Sequence, residues 1–125
     1  MIKNSPRLCN GCIYEIPCKD CNCKYIGQSG KGLDTRVKQH KYSVRTGQEN
    51  NALFVHMRDE NHSIDWLNSS SIVKCNSFIK RNIIESSVIK QTEQNNMNLS
   101  TGMYKLDGFI KETPYVPKSF LKIIF

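Results

Sequence analysis

Hydrophobic positions along the chain alternate over two short segments near the N-terminus, and this pattern predicts a β-hairpin. The two predicted strands are Cys12 to Ile16 and Cys23 to Ile26. A hairpin symmetric about Lys19-Asp20 pairs residue 14 with residue 25 and residue 16 with residue 23. In that register Tyr14 and Tyr25 share one face of the sheet. A glycine-rich turn, GQSGKG, follows.

The remaining hydrophobic pattern predicts three helices and two more strands. The helices are predicted at Asp34–Val44, at about Ala52–Glu60 and at Phe78–Thr92. The strand candidates are Ile64–Trp66 and Ile72–Cys75, on either side of the turn LNSSS. The order β-β-α-α-β-β-α predicts a mixed α/β fold with a small antiparallel or mixed sheet flanked by helices.

A length of 125 residues suits one domain with one core. Residues 1–11 are interpreted as a lead-in segment and residues 12–110 as the domain. Residues 111–125 contain two prolines and are interpreted as a C-terminal tail.

The chain is basic, with 18 Lys and Arg against 11 Asp and Glu and a net charge of +7. This excess favours a polyanionic partner, most simply nucleic acid, over a surface that is basic by chance. No segment approaches the ~20 apolar residues of a membrane span, so no membrane partner is expected. The N-terminus lacks the apolar core of a secretory signal, so a reducing, intracellular compartment is expected. The candidate phosphate contacts are Lys31, Lys38, Lys41, Arg45 and Lys80.

Two of the six cysteines, Cys18 and Cys21, have CxxC spacing in the predicted hairpin loop. His56 and His62 follow with H-x5-H spacing, and two thiolates with two imidazoles form a tetrahedral zinc set. A six-residue offset does not keep both histidines on one helical face. His62 is therefore expected just past the helix end, where Asn61 can turn the chain. Two loop thiols and two unrelated histidines are the alternative.

A rival zinc set would combine Cys9, Cys12, Cys18 and Cys21. An extended strand separates residues 12 and 18 by ~20 Å, whereas ligands of one zinc lie within about 4 Å of one another. Cys12, Cys23 and Cys75 are more simply explained as small buried residues of strands, with Cys23 as a reserve ligand.

The motifs "CIY" (12–14) and "YIG" (25–27), with the stretch "YIGQSGKGLDTRVKQH", resemble the GIY-YIG endonuclease superfamily. Cys12 stands in place of the first motif glycine. The pairs in "IPCKDC" and "HMRDENHSIDW" are similar to those of the endonuclease domain of Penelope-like retroelements. The resemblance implies a GIY-YIG-like fold with an inserted Cys2His2 zinc knuckle.

The resemblance also implies a DNA endonuclease that nicks its target with Mg or Mn and carries a structural zinc. It implies a nuclear location and a reverse transcriptase domain or polypeptide as a possible partner. Glu85 is the implied ligand of the catalytic metal, although pairing with Arg81 one turn earlier is an alternative. The implied catalytic residues are Tyr14, Tyr25, Arg36, His40, Glu85 and Asn98.

Two other functions remain open at this point. One is a catalytically inactive, zinc-containing nucleic-acid-binding module. The other is a structure-specific repair nuclease of the same superfamily.

Overall fold

The computed structural model describes residues 11–99, and the mixed α/β class is confirmed. Two short 3-10 helices, Trp66–Asn68 and Glu93–Asn95, supplement the main elements. The domain boundaries at residues 11 and 110 remain predictions, and Cys9 lies outside the described residues. The main elements are β1 (Cys12–Pro17), β2 (Lys24–Ser29), α1 (Leu33–Arg45), α2 (Ala52–Glu60), β3 (Ser70–Lys74) and α3 (Phe78–Gln91).

The three described strands form an antiparallel sheet in the order β2-β1-β3. Tyr14 pairs with Gly27 and Ile16 pairs with Tyr25, so the predicted pairing of residue 14 with 25 and of 16 with 23 is wrong by two residues. The hairpin is centred one residue later than predicted. Its last strand pair is Pro17–Lys24, and the Cys18 N–H closes the intervening loop by donating to the Cys23 carbonyl at 3.0 Å. A shift of two residues preserves the face of every side chain, so both tyrosines still lie on one side.

The segment Ile64–Trp66 is not the strand that the sequence predicted. Ile64 forms a single antiparallel bridge with Cys18, and Trp66 begins a 3-10 helix. The backbone here bonds to the loop after β1: Lys19 N–H donates to the Ser63 carbonyl at 2.8 Å, and Asp65 N–H donates to the Pro17 carbonyl at 2.9 Å. These bonds hold the segment against the hairpin loop, so it forms an isolated bridge instead of a strand of the sheet.

Alternation along β1 divides the core into two layers. Cys12, Tyr14 and Ile16 pack on one face, with Leu53 of α2 and the partly buried Leu33, Val37 and Val44 of α1. Ile13 packs on the opposite face, with Ile26 of β2 and with Ile84, Val88 and Ile89 of α3. The sheet is therefore covered by α1 and α2 on the tyrosine face and by α3 on the other.

The ends of α2 are set by two asparagines. Asn51 caps its N-terminus, with its side-chain oxygen accepting bonds from the N–H groups of Leu53 and Phe54. Asn61 ends it in the left-handed conformation, at φ 56°. This confirms the turn expected at Asn61. None of the helices in residues 11–99 has the length and hydropathy that a membrane span requires.

Candidate active site and metal centre

Cys18, Cys21, His56 and His62 converge as the sequence predicted, and their ligand atoms all lie within 4.8 Å of one another. Cys18 Sγ is 3.5 Å from His62 Nδ1, and Cys21 Sγ is 3.5 Å from His56 Nε2. The two histidine nitrogens are 3.3 Å apart. The two cysteines come from the hairpin loop. His56 lies in α2, and His62 directly follows Asn61.

These separations fit a tetrahedral zinc site. Bonds of about 2.3 Å to sulfur and 2.0–2.1 Å to nitrogen place sulfur and nitrogen ligands ~3.5 Å apart, and two nitrogens ~3.3 Å apart. The backbone N–H groups of Asp20 and Cys23 donate to the sulfurs of Cys18 and Cys21, at 3.3 and 3.5 Å. Such donors stabilise thiolate charge and orient metal ligands. The residues present are therefore compatible with a structural zinc.

The remaining described cysteines lie outside this group of four, and all five cysteines in residues 11–99 are free thiols. Cys12 is buried in β1, as expected. Cys23 and Cys75 are half-buried and lie one residue outside β2 and β3, so their assignment to strands is corrected by a single position.

Tyr14, Tyr25 and His40 form a compact cluster on the face of the sheet that α1 and α2 cover. The tyrosine ring centroids are 6.2 Å apart, and the His40 ring is 5.0 Å from that of Tyr25. The Tyr14 hydroxyl and His40 Nε2 are hydrogen-bonded at 2.8 Å. The Tyr14 side chain is fully buried, so this bond fixes its hydroxyl in one position.

Gly27, the last residue of the YIG motif, lies directly beneath the Tyr14 ring. A Cβ at this position would be only 2.5 Å from Tyr14 Cζ, closer than real Cβ contacts. The register explains the motif glycine, because Gly27 is the residue paired with Tyr14. A side chain here would displace the tyrosine from His40.

An open cavity of about 310 Å³ adjoins this cluster. Tyr25, Arg36, His40 and Asn98 line it, so it brings together four of the six predicted catalytic residues. Arg36 and His40 reach it from neighbouring turns of α1. The cavity is also lined by Gln39, Ser43, Asn50, Asn51, Ala52 and Leu99.

Glu85 of α3 is half-buried and interacts electrostatically with Tyr25 and Arg36. Burial raises the pKa of its carboxyl to about 7, although the Arg36 cation acts in the opposite direction. Within residues 11–99 it forms no ion pair, and the alternative pairing with Arg81 is not observed. Arg81 instead donates to Gln28 Oε1, at 2.8 Å, and to the Cys75 carbonyl. Glu85 does not line the cavity, but Tyr25 and Arg36, with which it interacts, do. A carboxylate without an ion-pair partner is compatible with binding a divalent cation.

The other titratable groups of the cluster are held neutral. Burial, with the Arg36 cation acting in the same direction, lowers the pKa of His40 to about 4. Burial also raises the pKa of Tyr14 and of Tyr25. Arg36 is therefore the positive charge of the cluster, and neither tyrosine is anionic near neutral pH without an added cation.

Asn98 joins the chain after α3 to the YIG strand. Its side-chain oxygen accepts from the Ile26 N–H at 2.9 Å, and its amide nitrogen donates to the Ile26 carbonyl at 2.7 Å. Met97 N–H adds a bond to the Lys24 carbonyl at 2.9 Å. The amide thus satisfies both backbone groups of an edge-strand residue and holds Asn98 at the cavity.

The five basic residues predicted to contact nucleic acid are exposed, but they do not share the cavity. At 100° per residue, Lys38, Lys41 and Arg45 lie roughly 140–200° around α1 from Arg36. Lys41 Nζ lies 5.8 Å from the centroid of the Trp66 ring. Lys31 lies in the turn before α1, and Lys80 lies in the first turn of α3.

Asn51 is a residue of the site that the sequence did not single out. The sequence marked only the start of a helix at this position, and the structure shows its amide 3.1 Å from His40 Nδ1. A helix-capping asparagine is a common local signal, and nothing in the sequence connects it to a histidine eleven residues earlier.

Comparison with protein families matches residues 10–98 to the GIY-YIG catalytic domain. The chain belongs to the GIY-YIG family. The match covers both tyrosine motifs, the Cys/His cluster and every residue that lines the cavity except Leu99. Searches among curated proteins and among solved structures gave no match. Membership of the GIY-YIG family implies nuclease activity on DNA, and GIY-YIG nucleases generally use divalent metals.

Proposed function

We propose that this GIY-YIG protein is a Mg- or Mn-dependent endonuclease of the retroelement type, which nicks one DNA strand at a target. The observation that carries the proposal is the convergence of Tyr25, Arg36 and His40 on one cavity, with Tyr14 bonded to His40 and with Glu85 interacting electrostatically with Tyr25 and Arg36. Hydrolysis of a phosphodiester needs an activated water and stabilisation of charge on the phosphate. Tyrosine hydroxyls and an arginine can serve these two needs.

In this proposal Arg36 binds the scissile phosphate, because Arg36 lines the cavity and a guanidinium matches phosphate geometry. Tyr14 would orient the attacking water and take its proton as the tyrosinate, after a bound cation has lowered the pKa that burial raises and the hydroxyl proton has been released to solvent. Tyr25 lines the cavity and would hold water or phosphate there. His40 orients Tyr14 through the 2.8 Å hydrogen bond. Glu85 would hold a divalent cation, which when bound would supply Lewis-acid chemistry at the phosphate. Asn98 fixes the loop that borders the cavity and does not react.

Zinc has a structural role in the proposal. Cys18, Cys21, His56 and His62 would hold one ion that ties the hairpin loop to α2. The position of the cysteine pair between the two tyrosine motifs, followed by a histidine pair, supports the Penelope-like branch. A nuclear location and a reverse transcriptase domain or polypeptide as partner follow from that assignment.

DNA bound at the cavity would also contact exposed basic residues outside it. Lys31, Lys38, Lys41, Arg45 and Lys80 remain the proposed phosphate contacts, and those on α1 lie outside the cavity. Contacts of this kind position a duplex without reading its sequence, so a weak sequence preference is proposed.

The test is nicking of supercoiled plasmid by zinc-loaded protein in Mg or Mn. Wild type is expected to produce open circles, and Glu85→Gln is expected to produce none. Glu49→Gln is the matched control, because Glu49 has a side chain 81% exposed and lies outside the cavity. Binding of DNA without nicking in either metal would favour the inactive binding module. Cleavage confined to branched or flapped DNA would favour the repair nuclease.

A further inference from the structure

Asn51 makes two kinds of contact at once. Its Oδ1 accepts bonds from the N–H groups of Leu53 and Phe54, at 2.9 and 3.2 Å, and so caps α2. Its Nδ2 lies 3.1 Å from Nδ1 of His40 on the neighbouring helix. The two contacts use opposite ends of one amide.

The cap determines which end of the amide faces the histidine. Two backbone N–H donors require an acceptor, so the carbonyl oxygen of Asn51 must point at α2. The NH2 group is then left facing His40. An amide NH2 can only donate, and therefore His40 Nδ1 must accept and carry no proton.

The protonation state of the other ring nitrogen of His40, Nε2, follows from this. A neutral imidazole with a bare Nδ1 carries its proton on Nε2. Nε2 is 2.8 Å from the Tyr14 hydroxyl, so the N–H donates to the tyrosine oxygen. The low pKa of His40 is consistent with a neutral ring.

We propose that Asn51 is a positioning residue that fixes His40 as the Nε2–H tautomer, so that His40 donates to Tyr14. Its bearing on strand cleavage rests on the proposed function, but its effect on His40 does not. In this tautomer His40 cannot take the proton of Tyr14. It instead stabilises negative charge on the Tyr14 oxygen, and the tyrosine's own hydrogen points away from the histidine.

The experiment is ¹⁵N NMR of the histidine side chains in the zinc-loaded full chain, where the nitrogen shifts distinguish protonated from bare positions. The chain has three histidines, and His40→Gln assigns the signals of His40. Asn51→Asp keeps a capping oxygen but turns an acceptor toward His40 Nδ1. Asn95→Asp, an exposed residue outside the cavity, is the matched control for the added charge.

The expected result is a bare His40 Nδ1 in wild type and in the control Asn95→Asp, and a protonated Nδ1 in Asn51→Asp. Wild type with a protonated Nδ1, or Asn51→Asp with a bare one, would overturn the proposal. Thermal unfolding of Asn51→Ser, which also keeps a cap, separates a folding effect from the effect on His40.

Nicking provides the second readout. Asn51→Asp is expected to slow nicking about 10- to 100-fold. This is at or below the lower end of the ~10²–10⁴ that an acid–base group contributes, because Asn51 acts only through His40. Nicking at the wild-type rate despite a protonated Nδ1 would refute the catalytic part of the proposal. If wild type does not nick at all, the proposed function fails, while the NMR comparison still decides the role of Asn51.

Discussion

Replacing Glu85 with glutamine is expected to stabilise the protein at pH 8 when no Mg or Mn is present. Burial raises the pKa of Glu85 from its ordinary value of 4.5 to about 7. The fold therefore favours the protonated carboxyl. This favourable contribution is complete below pH 4.5 and is lost as the pH rises through about 7.

The size of the effect follows from the shift. At 1.36 kcal/mol per pKa unit, the change from 4.5 to about 7 corresponds to ~3 kcal/mol. The carboxyl is half-buried, and solvent screening reduces this to about 1–2 kcal/mol. Glutamine keeps the shape and removes the charge, so it avoids this loss at high pH.

The assay is urea unfolding of zinc-loaded wild type, Glu85→Gln and Glu49→Gln at pH 5 and pH 8, without chelator. The unfolding free energy of Glu85→Gln minus that of wild type should be about 1–2 kcal/mol larger at pH 8 than at pH 5. Adding Mg at pH 8 should stabilise wild type and leave Glu85→Gln unchanged. A Glu85→Gln protein no more stable than wild type at pH 8, or equally responsive to Mg, would refute the reasoning. The exposed control should show neither effect.

Three further predictions concern zinc, the motif glycine and DNA. Elemental analysis of reduced protein should find one zinc, and His62→Ala should lower both metal content and melting temperature, since binding is coupled to folding; zinc-free wild type would contradict this. Gly27→Ala should cost about 1–3 kcal/mol by overpacking against Tyr14 and slow nicking, and wild-type stability and rate would show that the ring moves freely. Arg36→Ala should slow nicking ~10²-fold and weaken DNA binding. Glu85→Gln without metal should bind DNA as tightly as wild type or more tightly. Equal losses of DNA affinity in both variants would count against these charge assignments.

Much of the fold follows from local signals in the sequence. The three predicted helices agree with the observed ones to within one residue at each end, because apolar spacing and a capping residue such as Asn51 are local signals of helix limits. The Cys/His group was predicted from ligand chemistry and from the turn at Asn61. The face shared by Tyr14 and Tyr25 follows from the period of a strand, which a two-residue shift does not change.

The tertiary structure decided what depends on contacts between distant segments. The hairpin register depends on the Cys18–Cys23 loop, and the fate of Ile64 depends on its bridge to Cys18. The partners of Arg81 are Gln28 and the Cys75 carbonyl, which helix spacing does not predict.

The tautomer of His40 is the clearest case of this division. The sequence supplied a histidine on one helix and a capping asparagine before the next, each explained by local rules. Only the packing of α1 against α2 brings Asn51 Nδ2 to 3.1 Å from His40 Nδ1 and His40 Nε2 to 2.8 Å from Tyr14. Hydrogen-bond direction depends on which atoms meet, and that is determined by the folded arrangement of the helices and the sheet.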